Sequence, residues 1–284
     1  MEILKKVLGQ MSLENFLEKH LYQLPISVAG GAEAYCHYLN WKVIKEIFES
    51  KKSMLRIVKE GKMVKDDAPL DFQASEIYFK NGHTLVIKNS EKSHPLLAQM
   101  AEAFSSFFYA PVDIQLFCTP AKTFGFGWHY DVEDVFIFQT MGTKNFTLRQ
   151  NTVHHHPTHV SSPKDQGFDK ETSNLFIDVK LKAGDWLYIP AGWWHKAESP
   201  DEDSMHISLG VFSKSAVDVL PVVARELASN PFWRTRFPLY HHFATPDEEV
   251  AFYQEGLKEM GKDIADKLSK PEFIKSLIAQ LRQN

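Results

Sequence analysis

Three residues able to bind a metal ion stand in two short segments of the chain. His129 and Asp131 lie two residues apart in the segment GWHYD, and His195 ends the segment IPAGWWH. In extended backbone alternate side chains project to the same side, so His129 and Asp131 can converge on one ion. Antiparallel strand pairing would bring His195 against them. Two imidazoles and one carboxylate form the facial triad of iron(II) sites that keep open coordination positions, so the sequence predicts an iron(II) site at these residues.

The region from Val112 to Phe212 contains the strands that must position these ligands. It consists of short runs rich in β-branched and aromatic residues, separated by glycine and proline. Such runs predict strands of an antiparallel sandwich or barrel. The predicted strands are 113–118, 134–140, 145–149, 176–181, 185–189 and 206–212.

Helices are predicted on both sides of this region. Apolar spacing and capping residues favour helices at 12–20, 41–51 and 95–109, whereas 76–79 and 84–87 are interpreted as strands around the Asn81-Gly82 turn. After Ser213 the pattern is helical, with a segment at 215–229 divided by Pro221 and further starts at Thr245 and Ser269. These last helices carry more apolar residues than exposed helices need, which predicts packing on the barrel or on a second subunit.

Composition narrows the functional classes. A formal net charge of -4 gives no overall electrostatic reason to bind nucleic acid, so such a partner is not expected. Cys36 and Cys118 are the two cysteines, which excludes a disulfide framework and a thiolate zinc site. No apolar run approaches the roughly 18–20 residues that span a bilayer, so we expect no membrane partner and a cytoplasmic location.

A polar stretch at 151–174 is expected to be an insertion between strands. It contains three consecutive histidines, His154, His155 and His156, and then His159. Histidines clustered in this way can bind a metal, but polar loops of mixed composition usually stay solvated.

The combined pattern of His-x-Asp and the later segment GDWLYIPAGWWH resembles the Jumonji-C family of 2-oxoglutarate oxygenases. Within that family it is most similar to bacterial ribosomal oxygenases and asparaginyl hydroxylases of the cupin fold. The resemblance covers roughly 12–213. It implies a mainly β fold with helices, built on a double-stranded β-helix (jelly roll). The domain interpretation is buttressing elements at 1–110, the core at 111–213 with its insertion at 151–174, and a C-terminal helical region at 214–284 that is expected to form a dimer.

The resemblance also implies where the cosubstrate binds. Residues 134–144 match the family's strand after the metal motif and the turn that places a basic residue, so Lys144 is expected to pair with the distal carboxylate of 2-oxoglutarate. A dianion in an apolar barrel needs such a cation. The alternative is a solvated turn lysine. Ser208 corresponds to a small polar residue beside the cosubstrate, and Thr147 and Tyr130 are further pocket candidates.

The family's chemistry implies hydroxylation with Fe(II), 2-oxoglutarate and dioxygen. A polypeptide substrate, including a ribosomal protein, is favoured by analogy alone, and a small-molecule hydroxylase of the same fold is the nearest alternative. Two other classes stay open, namely a metal-binding cupin isomerase or dioxygenase that does not use 2-oxoglutarate, and a non-catalytic cupin binding protein. A homodimer is expected.

Overall fold

The computed structural model describes residues 2–52, 54–68, 71–158, 166–236 and 243–283. They divide into two compact units, Met1–Ser213 and Lys214–Asn284. The strands all lie in the first unit: β1 (Ile26–Val28), β2 (Met54–Lys59), β3 (Lys62–Ala68), β4 (Thr84–Lys88), β5 (Val112–Thr119), β6 (Thr123–Phe124), β7 (Asp134–Met141), β8 (Thr143–Arg149), β9 (Phe176–Lys182), β10 (Trp186–Ile189), β11 (Trp194–Ser199) and β12 (Ser204–Val211).

Five helices accompany the strands and three form the described part of the second unit. In the first unit these are α1 (Glu2–Leu8), α2 (Leu13–Lys19), α3 (Trp41–Ser50), α4 (Phe72–Lys80) and α5 (Pro95–Phe108). In the second unit they are α6 (Val219–Leu227), α7 (Pro246–Leu268) and α8 (Pro271–Gln283). None of the helices in the described ranges combines the length and apolar character needed to cross a bilayer.

The strands form two antiparallel sheets. The larger has the order β1-β10-β7-β12-β5-β4-β2-β3, and the smaller has the order β6-β11-β8-β9. Alternating connections between the two sheets build the double-stranded β-helix, which confirms the fold class predicted from the sequence. The long strands β5, β7 and β12 adjoin one another at the centre of the larger sheet.

Alternation along the central strands separates the hydrophobic core from the interior cavity. One face of β5, β7 and β12 packs against the helices, and its buried residues include Leu116, Phe136 and Ile207. The opposite face looks toward the smaller sheet, where Val135 and Ile137 meet Phe146 and Leu148 in a second cluster. Because side chains on a strand alternate between faces, every second residue of β5, β7 and β12 lies toward this interior.

The strand predicted at 76–79 is wrong, because these residues belong to α4. The Asp71 carboxylate accepts hydrogen bonds from the backbone N–H groups of Gln73 and Ala74 and caps the helix. Ser75 and Phe79 lie four residues apart and are both buried, which is helical periodicity. The aromatic and β-branched composition of 76–79 suggested a strand, whereas capping and periodicity decided the structure.

The C-terminal unit follows the predicted helix starts in part. The Thr245 hydroxyl accepts a hydrogen bond from the Glu248 backbone N–H and caps α7, as expected. Pro221 lies in the first turn of α6, where proline is tolerated, and a 3-10 turn at Ala216–Asp218 precedes it. Ser269 is not the N-cap of α8, because the first helical hydrogen bond runs from the Ile274 N–H to the Lys270 carbonyl, and the Ser269 hydroxyl donates to the Asp266 carbonyl at the end of α7.

The turn between β7 and β8 requires glycine. Gly142 has a φ of +64°, and a Cβ at this position would overlap the backbone carbonyl of Asp203. We therefore expect Gly142→Ala to lower the free energy of unfolding by about 2–3 kcal/mol, measured by urea denaturation. Gly125→Ala is the matched control, since its nearest neighbour would be Thr84 at 3.8 Å, and its effect should stay within about 0.5 kcal/mol.

Candidate functional site

His129, Asp131 and His195 meet at one end of the interior. His129 and His195 face each other in an isolated antiparallel bridge, closed by hydrogen bonds of 3.1 Å and 2.8 Å between their backbone groups. The sequence had suggested that His129 lies in a strand, whereas the structure places it in a single isolated bridge. The Nε2 atom of His195 is 3.4 Å from Asp131 Oδ2, and the possible ligand atoms of the three residues lie within 4.8 Å of one another.

Backbone carbonyls fix both imidazoles in the same way. The Nδ1 atom of His129 is 2.8 Å from the Gly127 carbonyl, and Nδ1 of His195 is 3.0 Å from the Trp193 carbonyl. A carbonyl only accepts, so each Nδ1 carries the proton and each Nε2 keeps a free lone pair. Burial and the neighbouring His129 lower the pKa of His195 to about 4, although Asp131 opposes this shift. Both rings are thus oriented to bind a metal through Nε2.

The histidines of the insertion form no comparable site in the residues that the structure describes. Within the described residues, the possible ligand atoms that converge on one point belong to His129, Asp131 and His195. The side chains of His155 and His156 are exposed, with ring centroids 6.5 Å apart, while His159 lies outside the described residues.

Lys144 reaches into the interior from β8. In this strand Lys144, Phe146 and Leu148 are buried and alternate with more exposed residues. Lys144 is 1% exposed, and its Nζ donates to Thr119 Oγ1 at 2.8 Å. It lines a small cavity together with the three possible metal ligands. Lys144 is therefore a buried amine beside the candidate metal site, and the solvated turn lysine considered from the sequence is excluded.

The other three predicted pocket residues differ in position. Ser208 on β12 lines the same cavity as Lys144. Thr147 does not, because it lies three residues after Lys144 on one strand and therefore on the opposite face of β8. Tyr130 points away from the cavity for the same reason, since it lies between His129 and Asp131; its buried ring packs against Trp194 at 4.8 Å. Neither residue is brought to the cavity.

Comparison with known proteins agrees with this geometry. The family model described as "JmjC domain" matches residues 87–219. The bifunctional lysine-specific demethylase and histidyl-hydroxylase NO66 of Drosophila mojavensis is 32% identical over 142 residues, covering 49% of this chain and 16% of that protein. The NO66 protein of Culex quinquefasciatus is 28% identical over 217 residues, covering 72% of this chain and 33% of that protein.

Solved structures show the same fold. The X-ray structure of Escherichia coli ycfD aligns with a TM-score of 0.64 at 20% sequence identity, covering 96% of this chain and 72% of that one. The ribosomal oxygenase YcfD of Escherichia coli in complex with cobalt and 2-oxoglutarate aligns with a TM-score of 0.63 at 19% identity, covering 96% and 71%. At this identity the likeness shows the fold alone. The chain spans about a third or less of the length of the two NO66 relatives.

The insertion at 151–174 packs behind the candidate ligands. Gln166 exchanges two hydrogen bonds with the backbone of Tyr130, which stands between His129 and Asp131. Glu171 accepts a 2.6 Å hydrogen bond from the indole N–H of Trp194, the residue before His195. The described part of the insertion therefore supports both ligand segments from outside, where the sequence had suggested a solvated loop.

Aromatic side chains complete this support. Phe168 of the insertion stacks on Trp128 with centroids 4.5 Å apart and meets Trp194 edge-on at 5.1 Å. Trp193 is buried and donates its indole N–H to the Gln23 carbonyl. Trp128 lines a second cavity beside the candidate ligands, the main cavity, of about 420 Å³, whereas Trp193 and Trp194 are packing residues.

The main cavity has an acidic wall that sequence reasoning missed. This cavity, of about 420 Å³, is lined by Asp113, Asp131 and Glu133. Gly210 on β12 makes room for two of these residues, because a Cβ there would lie 2.8 Å from Asp113 Oδ1 and 3.1 Å from Glu133 Cγ. Burial and Glu91 raise the pKa of Asp113 to about 6, and burial and Asp131 raise the pKa of Glu133 to about 8.

The described residues neutralise this wall only in part, because the charge of Lys92 lowers the pKa of Asp113 without a direct ion pair. Arg56 lines the same cavity, but its guanidinium pairs with Asp66 at 3.0 Å. Within the described ranges, no lysine or arginine forms an ion pair with Asp113 or Glu133. The wall therefore favours a positively charged group in the cavity.

Proposed function

We propose that this protein is an iron(II)- and 2-oxoglutarate-dependent oxygenase that hydroxylates its substrate. The observation that carries the proposal is the presence, in one cavity, of a two-histidine, one-carboxylate cluster and a buried lysine. Burying an ammonium group is costly unless an anion or strong hydrogen bonds compensate it. The lysine is explained by a cosubstrate with two acidic ends, one for the metal and one for Lys144.

The residues fit the proposed groups. His129, Asp131 and His195 would hold Fe(II) through two Nε2 atoms and a carboxylate oxygen, which is the donor set of non-haem iron oxygenases. Lys144 would bind the distal carboxylate of 2-oxoglutarate, with Ser208 beside it. When bound, iron and 2-oxoglutarate supply oxidative decarboxylation with dioxygen and transfer of one oxygen atom to a C–H bond. The protein's own groups orient these partners and exclude water.

The proposed substrate is a side chain of a polypeptide. The NO66 relatives are named histidyl-hydroxylase and lysine-specific demethylase, which refers to protein side chains. A structural neighbour is named ribosomal oxygenase, which refers to a target in the ribosome. The main cavity opens beside the candidate metal ligands and is large enough for one long side chain. A small-molecule hydroxylase of the same fold is the alternative, and peptide-stimulated turnover distinguishes the two.

The acidic wall predicts the charge of this side chain. Peptides with a central arginine or lysine should stimulate 2-oxoglutarate turnover more than peptides with the neutral analogues citrulline or norleucine. Asp113→Asn should reduce that preference about tenfold, because a charge-assisted hydrogen bond contributes roughly 1.5–3 kcal/mol. The measurement is succinate formation across the peptide set. Asp169→Asn, an exposed position in the insertion, should leave the preference unchanged. Equal stimulation by charged and neutral peptides would contradict the prediction.

Anaerobic titration tests the oxygenase proposal itself. Iron-loaded protein is titrated with 2-oxoglutarate while the visible charge-transfer band of the chelate is followed. A saturable band supports the proposal. Bound iron without a band would favour a cupin isomerase or dioxygenase that uses other substrates. A band without turnover on any peptide or small molecule would favour a non-catalytic binding protein.

We also infer that the protein is a cytoplasmic homodimer joined through its C-terminal unit. The second unit carries exposed apolar side chains, including Val250 and Leu257 on α7. Such a surface is suited to association with another apolar surface. A monomeric mass in solution at micromolar concentration would contradict the dimer.

A further inference from the structure

A buried polar cluster surrounds the ammonium group of Lys144. Its Nζ lies 2.8 Å from Thr119 Oγ1 and 3.5 Å from Nδ1 of His206. Lys144, Thr119 and His206 are all buried, and they come from β8, β5 and β12. The cluster thus joins the smaller sheet to the two central strands of the larger one. The proposed function accounts for Lys144 but not for His206.

The backbone of β12 directs His206 into the interior. The pairing of β12 with β7 shifts register between Met205 and His206, which marks a β-bulge. Bulges change the direction of side chains and occur often beside functional sites. His206 and Ser208 share one face of the strand, and both line the cavity that also contains Lys144.

Two aromatic rings hold the imidazole in place. The ring of His206 stacks on Phe117 across the strand pair, with centroids 4.7 Å apart and an angle of 10°. Phe146 meets it edge-on at 5.8 Å. With one face stacked and the ring buried, its nitrogen atoms are the groups left to interact with polar partners. Burial and the nearby Lys144 also lower the pKa of His206 well below its ordinary value, so the ring is neutral.

Donor counting then assigns the role of each nitrogen. An ammonium group has three N–H donors and no acceptor. The Thr119 hydroxyl accepts one of them, and Nδ1 of a neutral His206 that carries its proton on Nε2 accepts a second. One N–H remains, and its direction is set by the other two.

We propose that His206 is a positioning residue that accepts a hydrogen bond from Lys144 and, with Thr119, aims the remaining N–H at the distal carboxylate of the 2-oxo acid. This inference rests on the proposed function for the identity of the anion. The Lys144–His206 contact itself is independent of it. A purely structural His206 would fill space between Phe117 and Phe146, and phenylalanine would replace it without a selective effect.

Two variants and two ligands separate these roles. His206→Phe keeps an aromatic ring and removes the acceptor, whereas His206→Asn restores an acceptor. The iron-loaded proteins are titrated anaerobically with 2-oxoglutarate and with 2-oxopentanoate, which has a methyl group in place of the distal carboxylate. We expect His206→Phe to weaken 2-oxoglutarate binding about tenfold, to change 2-oxopentanoate binding less than about twofold, and to be largely rescued in His206→Asn.

Equal weakening of both ligands in His206→Phe, or no weakening of either, would overturn the proposal. A second measurement works without any ligand. Long-range ¹H–¹⁵N spectra of the metal-free protein at pH 7 should show His206 as the neutral Nε2–H tautomer, with an Nδ1 shift that changes in Lys144→Met. A protonated Nδ1 would refute the inference even if 2-oxoglutarate binds. Failure of wild-type protein to bind 2-oxoglutarate, with the expected tautomer present, would instead refute the proposed function.

Discussion

Asp131→Asn is expected to abolish 2-oxoglutarate turnover, with less than about 1% of the wild-type rate remaining. The substitution keeps the size of the side chain and removes the only charged ligand of the proposed triad. An amide oxygen is a weaker ligand than a carboxylate, so we expect Fe(II) affinity to fall by about 100-fold or more. Metal binding is measured by calorimetry under anaerobic conditions, and turnover by succinate formation.

Asp178→Asn is the matched control for this substitution. Asp178 is an exposed residue of β9, so its replacement should change neither metal affinity nor turnover. Wild-type iron affinity together with wild-type turnover in Asp131→Asn would mean that the metal binds elsewhere. Normal metal affinity together with lost turnover would instead place Asp131 in catalysis without metal ligation. Either result would remove the facial triad from the proposed mechanism.

The candidate metal site was predictable because its geometry is local. Residues two apart in extended backbone share a side, so the spacing of His129 and Asp131 was sufficient to pair them. His195 required only antiparallel pairing after a strand and a Pro-Gly turn, and the structure contains the bridge between His129 and His195. The same alternation rule would have excluded Thr147 and Tyr130 from the cavity, had it been applied to Lys144 and to His129.

The rest of the cavity depends on contacts between distant strands. Asp113 and Glu133 approach each other over Gly210, and no spacing rule connects these three positions in the sequence. His206 had one local signal, because it lies two residues before Ser208 and therefore on the same face of β12. The support from Gln166 and Glu171 was hidden because polar residues in an insertion look alike whether they are solvated or bound to backbone.

The sequence distinguished helices from strands best where a capping residue or strict alternation of apolar and polar residues accompanied the amino-acid composition. The Thr245 cap and the strand at 145–149 carried such signals, and both appear in the structure. At 76–79 composition favoured a strand, while the decisive signal was the Asp71 cap several residues earlier. Short strands such as β6 have too few residues to show any periodicity.

Lys144→Met is expected to separate binding from stability. Methionine has a similar length and no charge, so 2-oxoglutarate affinity should fall by about 100-fold with the loss of a buried charge-assisted contact. The same change should raise the free energy of unfolding by up to about 2 kcal/mol, because it removes an ammonium group from an apolar interior. Urea denaturation and anaerobic titration measure the two effects. A variant that is both destabilised and fully competent to bind would contradict the assigned role.

The pH dependence of the same residue has a definite sign. Burial lowers the pKa of Lys144 to about 7. The folded state therefore releases this proton near pH 7, whereas the unfolded state keeps it up to about pH 10.4, the unperturbed pKa of lysine. The destabilising effect of the lysine is consequently greatest below pH 7 and diminishes as the pH rises from 7 to about 10.4. The stabilisation by Lys144→Met should accordingly be largest below pH 7.

Cosubstrate binding should show the opposite trend, because the carboxylate requires the protonated amine. Above about pH 7 the dissociation constant for 2-oxoglutarate should rise toward tenfold per pH unit, as each binding event must take up a proton. Two groups adjoin the amine, namely His206, which is neutral in this range, and Cys118, whose pKa burial raises to about 12. Neither titrates between pH 6.5 and 8.5. Lys144→Arg keeps its charge throughout this range, so its dissociation constant should be nearly independent of pH. The same slope in Lys144→Arg and in wild type would assign the titration to another group.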